Sequence, residues 1–447
     1  MGDTYRGSRF VRRALLLVLV VAAWTWCGGL PAAAGVPTPH GAGPPGPAGG
    51  GVSADPADWT PQVLDGAVDQ VIQAGDRMYA AGSFTRVADA GSGRVLRVRS
   101  LVAFDARTGF VDRRFLPRLD GPATTIALAA DGRSLYVGGE FTHLGAARAA
   151  YLTRVAADTG AAWRGFHPAG LDGPVSHVLL LGRRLVVGGS FQTVDTTVRP
   201  GLASLDPATG VATPDLDLHL AKPRTTPSGA TAPLKVTALA ATPDQRRLIL
   251  GGNFDEAAGR PRYQLAVADL TTNPVRLAAW TTTRYQPMCS DHFPTYLRGL
   301  AVAPTGTWFT VATTGGARQG QLCDSVARFD LTGGGTPTWV NWTGGDTLLS
   351  TAITDTAVYV GGHQRWLNNP QGHDSAGPGA VPRPGIGAVS VADGRALAWN
   401  PTKDRGVGVF CILPTTAGLW ITSDTTRVHG EYHARIAFFP NDSGQVR

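Results

Sequence analysis

Seven times along this chain a short apolar run closes on a pair of small residues, and that recurrence limits the fold more than any other feature. Four copies superimpose directly: Met78-Tyr79-Ala80-Ala81-Gly82-Ser83-Phe84, Leu135-Tyr136-Val137-Gly138-Gly139-Glu140-Phe141, Leu185-Val186-Val187-Gly188-Gly189-Ser190-Phe191 and Leu248-Ile249-Leu250-Gly251-Gly252-Asn253-Phe254. Val358-Tyr359-Val360-Gly361-Gly362-His363 is a fifth. Weaker copies at Phe309-Thr310-Val311-Ala312-Thr313 and Leu419-Trp420-Ile421-Thr422-Ser423 fill the gaps. The second small residue falls at 82, 139, 189, 252, 313, 362 and 423, about 57 residues apart.

Each copy sits in the same neighbourhood. An apolar strand precedes it, as in Thr125-Ile126-Ala127-Leu128 or Leu300-Ala301-Val302, and a strand ending in aspartate follows, as in Leu101 to Asp105 or Leu202 to Asp206. A Thr-Gly turn at 108–109, 159–160 and 209–210 leads to a fourth segment carrying an aromatic and a proline, such as Trp399 and Pro401. Four short strands and tight turns per repeat read as one blade of a propeller. The 58 glycines and 32 prolines supply the turns, and a 43% hydrophobic content supplies the core. The glycines are expected where side chains crowd and neighbouring backbone must approach. The expected fold is therefore all-β: a single seven-bladed β-propeller of four-stranded blades over residues 55–440. The last repeat ends at Pro440 without a fourth strand, while Trp59-Thr60-Pro61 stands alone before the first and matches Trp399-Asn400-Pro401. The N-terminal strand is expected to complete the last blade and close the ring, removing two exposed sheet edges.

These VGGxF, LAxLD and DPATG elements resemble the delta-60 type repeats of bacterial β-propellers. The stretch from Cys289 to Pro440, with Phe293-Pro294-Thr295-Tyr296, Leu322-Cys323-Asp324, Gly361 to Trp366 and Asp404 to Val409, is similar to secreted actinobacterial members. The resemblance spans about residues 55 to 440 and implies a fold and a compartment, with no assigned activity. The glycine doublet is also kelch-like, an analogy of fold alone.

The N-terminus reads as an export signal over residues 1–34: Arg6, Arg9, Arg12 and Arg13 precede the apolar run Ala14 to Ala23, and Ala32-Ala33-Ala34 offers a cleavage site. That run is too short for an ordinary spanning helix, so free secretion is expected over an uncleaved anchor. Residues 35–54 form a Pro/Gly-rich linker expected to be disordered, and 441–447 a C-terminal tail. Loss of residues 1–34, with four arginines and one aspartate, lowers the formal net charge from +7 to about +4. So mild a charge makes no case for nucleic acid. A monomer is expected, with no cofactor and no metal, since no metal-ligand spacing of the HExxH kind occurs.

Alternating strand direction places the segment entering each first strand and the loop between second and third strands on one face, termed upper here. It carries the turns Leu64-Asp65-Gly66, Leu119-Asp120-Gly121, Leu171-Asp172-Gly173, Gly345-Asp346-Thr347 and Asp404-Arg405-Gly406. These aspartates serve as turn residues or as a carboxylate ring at the axial mouth. Cys289 and Cys323 fall at the same upper edge of the fifth repeat and are expected to form a disulfide; Cys411, in an apolar strand, reads as a buried free thiol. The least repeat-like segment is the sixth-repeat loop, with His363, Gln364, Arg365, Trp366, Asn368, Asn369, His373, Asp374 and Arg383. The seventh repeat adds Asp404, Arg405, His429, Glu431, Tyr432 and His433 to the same face, and the fifth adds Asp291 and His292. The favoured reading is a non-catalytic module that recognises an extracellular glycan or protein there, through Trp366 for stacking and Arg and Asn for directed bonds. The alternative is a glycan-degrading enzyme using carboxylates of that face, with Asp374 and Asp404 or Glu431 as the best pair.

Overall fold

The computed structural model describes residues 51–442, apart from 230, 292, 293, 317 and 319. The export signal, most of the linker, the last five residues and His292 lie outside the described residues. The elements are all strands and turns, with no helix among the described residues.

Seven antiparallel sheets follow one another, each ordered first, second, third strand. The second strands lie at the repeated motif: Arg77–Gly82, Ser134–Gly139, Arg184–Gly189, Arg247–Gly252, Trp308–Thr313, Ala357–Gly362 and Gly418–Ser423. They are buried on both faces almost without break, which is why they read as continuous apolar runs and not as alternating ones. A fourth strand is formed only in the third, fourth and fifth sheets, by Ala212–Thr213, Arg276–Leu277 and Trp339–Trp342. In the first, second and sixth sheets it shrinks to a single bridge, Phe104 with Val111, Val155 with Ala162 and Val389 with Ala396. The expectation of four-stranded blades is corrected to that extent. The aspartate at the end of the third strand caps the turn that follows whether or not a fourth strand forms: Asp105 accepts from the N–H groups of Arg107 and Thr108 in the first sheet, and Asp206 from those of Ala208 and Thr209 in the third.

Two further regularities recur in all seven sheets. Every first strand carries a register shift two residues from its start, at Val68/Gln70, Ala123/Thr125, Val175/His177, Val236/Ala238, Leu297/Gly299, Leu348/Ser350 and Val409/Cys411. The shift brings the carbonyl just before the first strand onto the second glycine: a Cβ on Gly139 would lie 2.2 Å from Pro122 O, and one on Gly362 2.2 Å from Thr347 O. The first glycine serves the next sheet instead, since a Cβ on Gly361 would meet the Val409 side chain at 2.6 Å. The residue before each third strand adopts the left-handed conformation: Ser100, Tyr151, Gly201, Gln264, Asp324, Gly385 and Arg435.

Hydrogen bonds link each sheet to its successor near the first strands. Ile126 N–H donates to Gln70 Oε1 at 2.6 Å, Thr124 Oγ1 to Val175 O at 2.9 Å, and Ser176 Oγ to Val236 O at 3.3 Å. Thr237 Oγ1 donates to Leu297 O at 3.0 Å, Thr310 meets Thr351 at 3.1 Å, and Ser350 Oγ donates to Val409 O at 2.8 Å. The seventh sheet reaches the first through Thr422 Oγ1 and Asp69 O at 3.5 Å.

The N-terminal segment lies along the third strand of the seventh sheet, Ile436–Pro440: Ala57 N–H donates to Phe438 O and Ser53 N–H to Pro440 O, both at 2.8 Å. Trp59 packs on Trp420 and Phe438, with centroids 5.7 and 5.3 Å away. Among the described residues pairing already involves Val52, bridged to Asn441, and residues 51–53 satisfy the backbone of 440–442. Cys289 and Cys323 are disulfide-bonded. Cys411 is fully buried, but no described cysteine is a free thiol; an apolar strand dictates burial, not redox state.

Candidate functional site

The upper face over the fifth to seventh sheets departs from the others at one position. Where the first four sheets bury Phe84, Phe141, Phe191 and Phe254, the last three have Gly315, Gln364 and Thr425. Gln364 is fully buried, yet neither polar atom of its amide finds a partner among the described residues. The apolar plug of the regular repeat has been exchanged there for polar groups.

The entry aspartates settle into one role in four sheets. Asp65 accepts from Thr85 N–H and Oγ1, both at 2.7 Å, and from Arg86 N–H and Nε. Burial would raise its pKa, but these bonds outweigh it and hold the carboxyl at about 2. Asp120 and Asp172 bind Thr142-His143 and Gln192-Thr193 in the same way. Asp346 accepts from the Arg365 N–H at 2.9 Å. These four carboxylates fasten each sheet's upper loop, so the turn reading holds over a cation-attracting ring. In the seventh sheet the relation inverts: Asp424 accepts from Val407 and Gly408 N–H, and Asp404 is exposed, its own N–H donating to Arg427 O.

Around Asp346 two sheets converge. Its side chain is 3% exposed and takes Arg365 Nε at 2.9 Å, an Arg365 terminal nitrogen at 3.0 Å and an Arg405 terminal nitrogen at 2.8 Å. Arg365 also pairs with the exposed Asp374 and lies 4.4 Å over the Trp366 ring. The bonds to Asp346 and Asp374 raise the Arg365 pKa, so it stays charged. Arg405 Nε donates to His363 O at 2.6 Å, and the His363 ring contacts Val407 O. His363, Arg365, Trp366, Asp374 and Arg405 thus form one cluster.

Three other expected ligand-contacting residues are occupied by the fold. Asn369 is fully buried, donating to Thr343 O and Ser375 O and accepting from Gly377 N–H. Asn368 Oδ1 accepts from Asn341 Nδ2 and Ala396 N–H. The Arg383 guanidinium donates to Leu397 O and Pro382 O. Their side chains brace the loop from within.

Next to this cluster Asp324 is buried at 1% exposure, and neither carboxylate oxygen has a well-formed hydrogen bond among the described residues. Burial pushes its pKa up to about 7, against partial offset from the Gly315 and Gly316 backbone and from Arg298. Glu431 and His433 lie elsewhere on the face, at the seam with the N-terminal segment: His433 is 2% exposed, with Nε2 3.4 Å from Glu431 Oε2 and Nδ1 3.4 Å from Thr60 Oγ1. Asp58 joins them, one ligand atom from each of the three lying within 4.8 Å of the others. Sequence reading missed Asp58 and Thr60 in this role; the expected completion of the last blade by the N-terminal strand around Trp59-Thr60-Pro61 was the signal that could have found them.

A depression of about 550 Å³ lies on the opposite, lower side near Arg183, Arg184, Asp215 and Asn273, where Arg184 and Asp215 are paired with each other. Beside the Arg365 cluster a crevice of about 10 Å³ is lined by Trp342, Gly345 and Asn369. No helix among the described residues is long and apolar enough to cross a membrane.

No protein-family model matches the chain, and no curated protein matches it in sequence. Among solved structures, the WD40 repeats of RRP9 superpose with a TM-score of 0.52 at 10% identity, over 86% of this chain and 98% of that one. The fold is a β-propeller. A computationally designed protein, Ika8, superposes with a TM-score of 0.47 at 11% identity, over 86% of this chain and 99% of its own.

Proposed function

We propose that this chain is a secreted propeller of the delta-60 repeat type, with seven blades closed by the N-terminal segment, and that it binds an extracellular glycan or protein without catalysis on the upper face over sheets five to seven. The seven repeated register shifts and the hydrogen bonds from each sheet to the next, the seventh to the first included, support the ring. The disulfide accords with an oxidising compartment.

One observation carries the binding reading: the sixth-sheet loop is locked from inside by Asn368, Asn369 and Arg383, while Asp374 and Val407 stay exposed at the cluster that holds the half-buried Trp366, and Tyr432 is exposed on the upper hairpin of the seventh sheet. A loop ordered in advance loses little entropy when it binds. Propellers often carry recognition on such loops. The crevice there, about 10 Å³, is too small to enclose a ligand and suits an extended surface one better. For the hydrolytic alternative, Asp374 is the carboxylate in question, and its pairing with Arg365 suits fixing a loop more than delivering a proton.

Glycan-array and extracellular-protein capture with wild type, Trp366→Ala and Tyr432→Ala test the reading. Both variants are expected to lose at least about tenfold in signal, in line with aromatic anchors. Equal signals from all three proteins would overturn it.

A further inference from the structure

From the Asp58, Glu431 and His433 cluster we infer a divalent-cation site of the zinc class that clips the N-terminal segment to the seventh sheet. The argument begins with the histidine. Thr60 Oγ1 lies 3.4 Å from both Ile436 O and His433 Nδ1, so a hydroxyl that donates to Ile436 O accepts from a protonated Nδ1 and leaves Nε2 with its lone pair. The Nε2 lone pair then points at Glu431 Oε2, 3.4 Å away. In that tautomer a cation between the two atoms satisfies both, where the other tautomer would use an N–H. Asp58 brings a second carboxylate to the same point, and among the described residues no arginine or lysine is paired with either acid. Elsewhere on this molecule loop aspartates such as Asp65, Asp89 and Asp346 have an arginine partner.

The spacing fits a metal. Ligands about 2.1 Å from a tetrahedral zinc ion stand roughly 3.4 Å apart, which matches the Nε2 to Oε2 distance. Asp58 and Glu431 are exposed and free to turn their carboxylates inward from the present 4.8 Å limit. One imidazole and two carboxylates suit zinc-class ions over calcium or magnesium, which prefer all-oxygen shells. The buried Thr60 on Nδ1 is the outer-shell partner that fixes a metal-ligating imidazole. The surrounding backbone is already in place: Val63 N–H donates to Ala434 O at 3.0 Å, and Ala434 N–H to Gln62 Oε1 at 2.6 Å. Asp58 and His433 are 375 positions apart, so a bound ion would hold the two ends of the fold together whatever the upper face recognises.

Titration calorimetry with zinc chloride on chelator-treated full-length protein tests the site. One ion per chain is expected, with a raised unfolding temperature that EDTA reverses. Asp58→Asn and Glu431→Gln, both at exposed positions, should each weaken zinc binding at least about tenfold, as expected for lost ligands, and leave the metal-free unfolding temperature near that of wild type. No binding by wild type, or binding by both variants as tight as that of wild type, would overturn the proposal.

Discussion

Replacing Trp59 by alanine tests whether the N-terminal segment stands in for the missing outer strand of the seventh sheet. Trp59 lies against Trp420 and Phe438, and Trp420 in turn contacts Phe104 of the first sheet at 5.6 Å. Trp399 makes the corresponding set one step earlier, on Tyr359 of the sixth sheet and Phe439 of the seventh, both at 5.2 Å. If the two joints are equivalent, Trp59→Ala and Trp399→Ala should cost similar amounts. A fully buried Trp→Ala change costs about 3–5 kcal/mol. Trp59 is only partly buried, which lowers that figure, while its two aromatic pairs add about 0.5–1.5 kcal/mol each. The expected loss is about 2–4 kcal/mol. Unfolding about 390 residues changes the entropy by about 0.8 kcal/mol/K, so 3 kcal/mol shifts Tm by only about 4 °C. Guanidinium unfolding followed by tryptophan fluorescence is the sharper assay, because the midpoint shift is read directly against m. A loss under about 0.5 kcal/mol for Trp59→Ala beside a full loss for Trp399→Ala would refute closure by this segment.

Other outcomes follow from the same contacts. Gly139→Ala should destabilise by about 1–3 kcal/mol, since its Cβ would lie 2.2 Å from Pro122 O; Gly334→Ala, with open space around it, should be neutral or stabilising by about 0.4–1 kcal/mol. Equal effects in urea unfolding would contradict the steric account of the doublet. Arg365→Ala leaves Asp346 to Arg405 and should cost about 1–3 kcal/mol, whereas removing both arginines strands a buried carboxylate and should cost about 3–5 kcal/mol; a double-mutant cycle in urea checks the coupling. The Asp324 carboxyl binds its proton more tightly folded, at about 7, than unfolded, near 3.8. Its contribution is therefore fully present below about pH 4 and is lost as pH rises toward 7, by roughly 2–4 kcal/mol. Asp324→Asn should flatten that part of the stability–pH curve, and an unchanged slope would show that Asp324 does not set it.

Much of the backbone was legible because its signals are local. A doublet such as Gly138-Gly139 marks a place where Cβ atoms do not fit, and the sheets run as the repeat implies. The Cys289–Cys323 disulfide could be anticipated because both residues fall at the same edge of one repeat. The register shift in every first strand was not legible, since Val68-Asp69-Gln70 and Ala123-Thr124-Thr125 share no pattern that reports pairing. The frayed outer strands were hidden too, because the turn capped by Asp105 in the first sheet, where the fourth strand frays, is also capped by Asp206 in the third, where it forms.

For the candidate site the division is sharper. Composition and loop length pointed to the sixth and seventh repeats, but residue type could not show that Asn368, Asn369 and Arg383 are consumed inside the loop while Asp374 faces outward. Hydrogen-bond satisfaction depends on which distant carbonyls and amides arrive nearby. The sequence alone determined the strand periodicity and the steric need for small residues, both of which depend on neighbours within one repeat. Only the tertiary structure decided which polar groups are spent and which remain, and brought Asp58 to Glu431 and His433, because that meeting depends on where the first and last sheets come together.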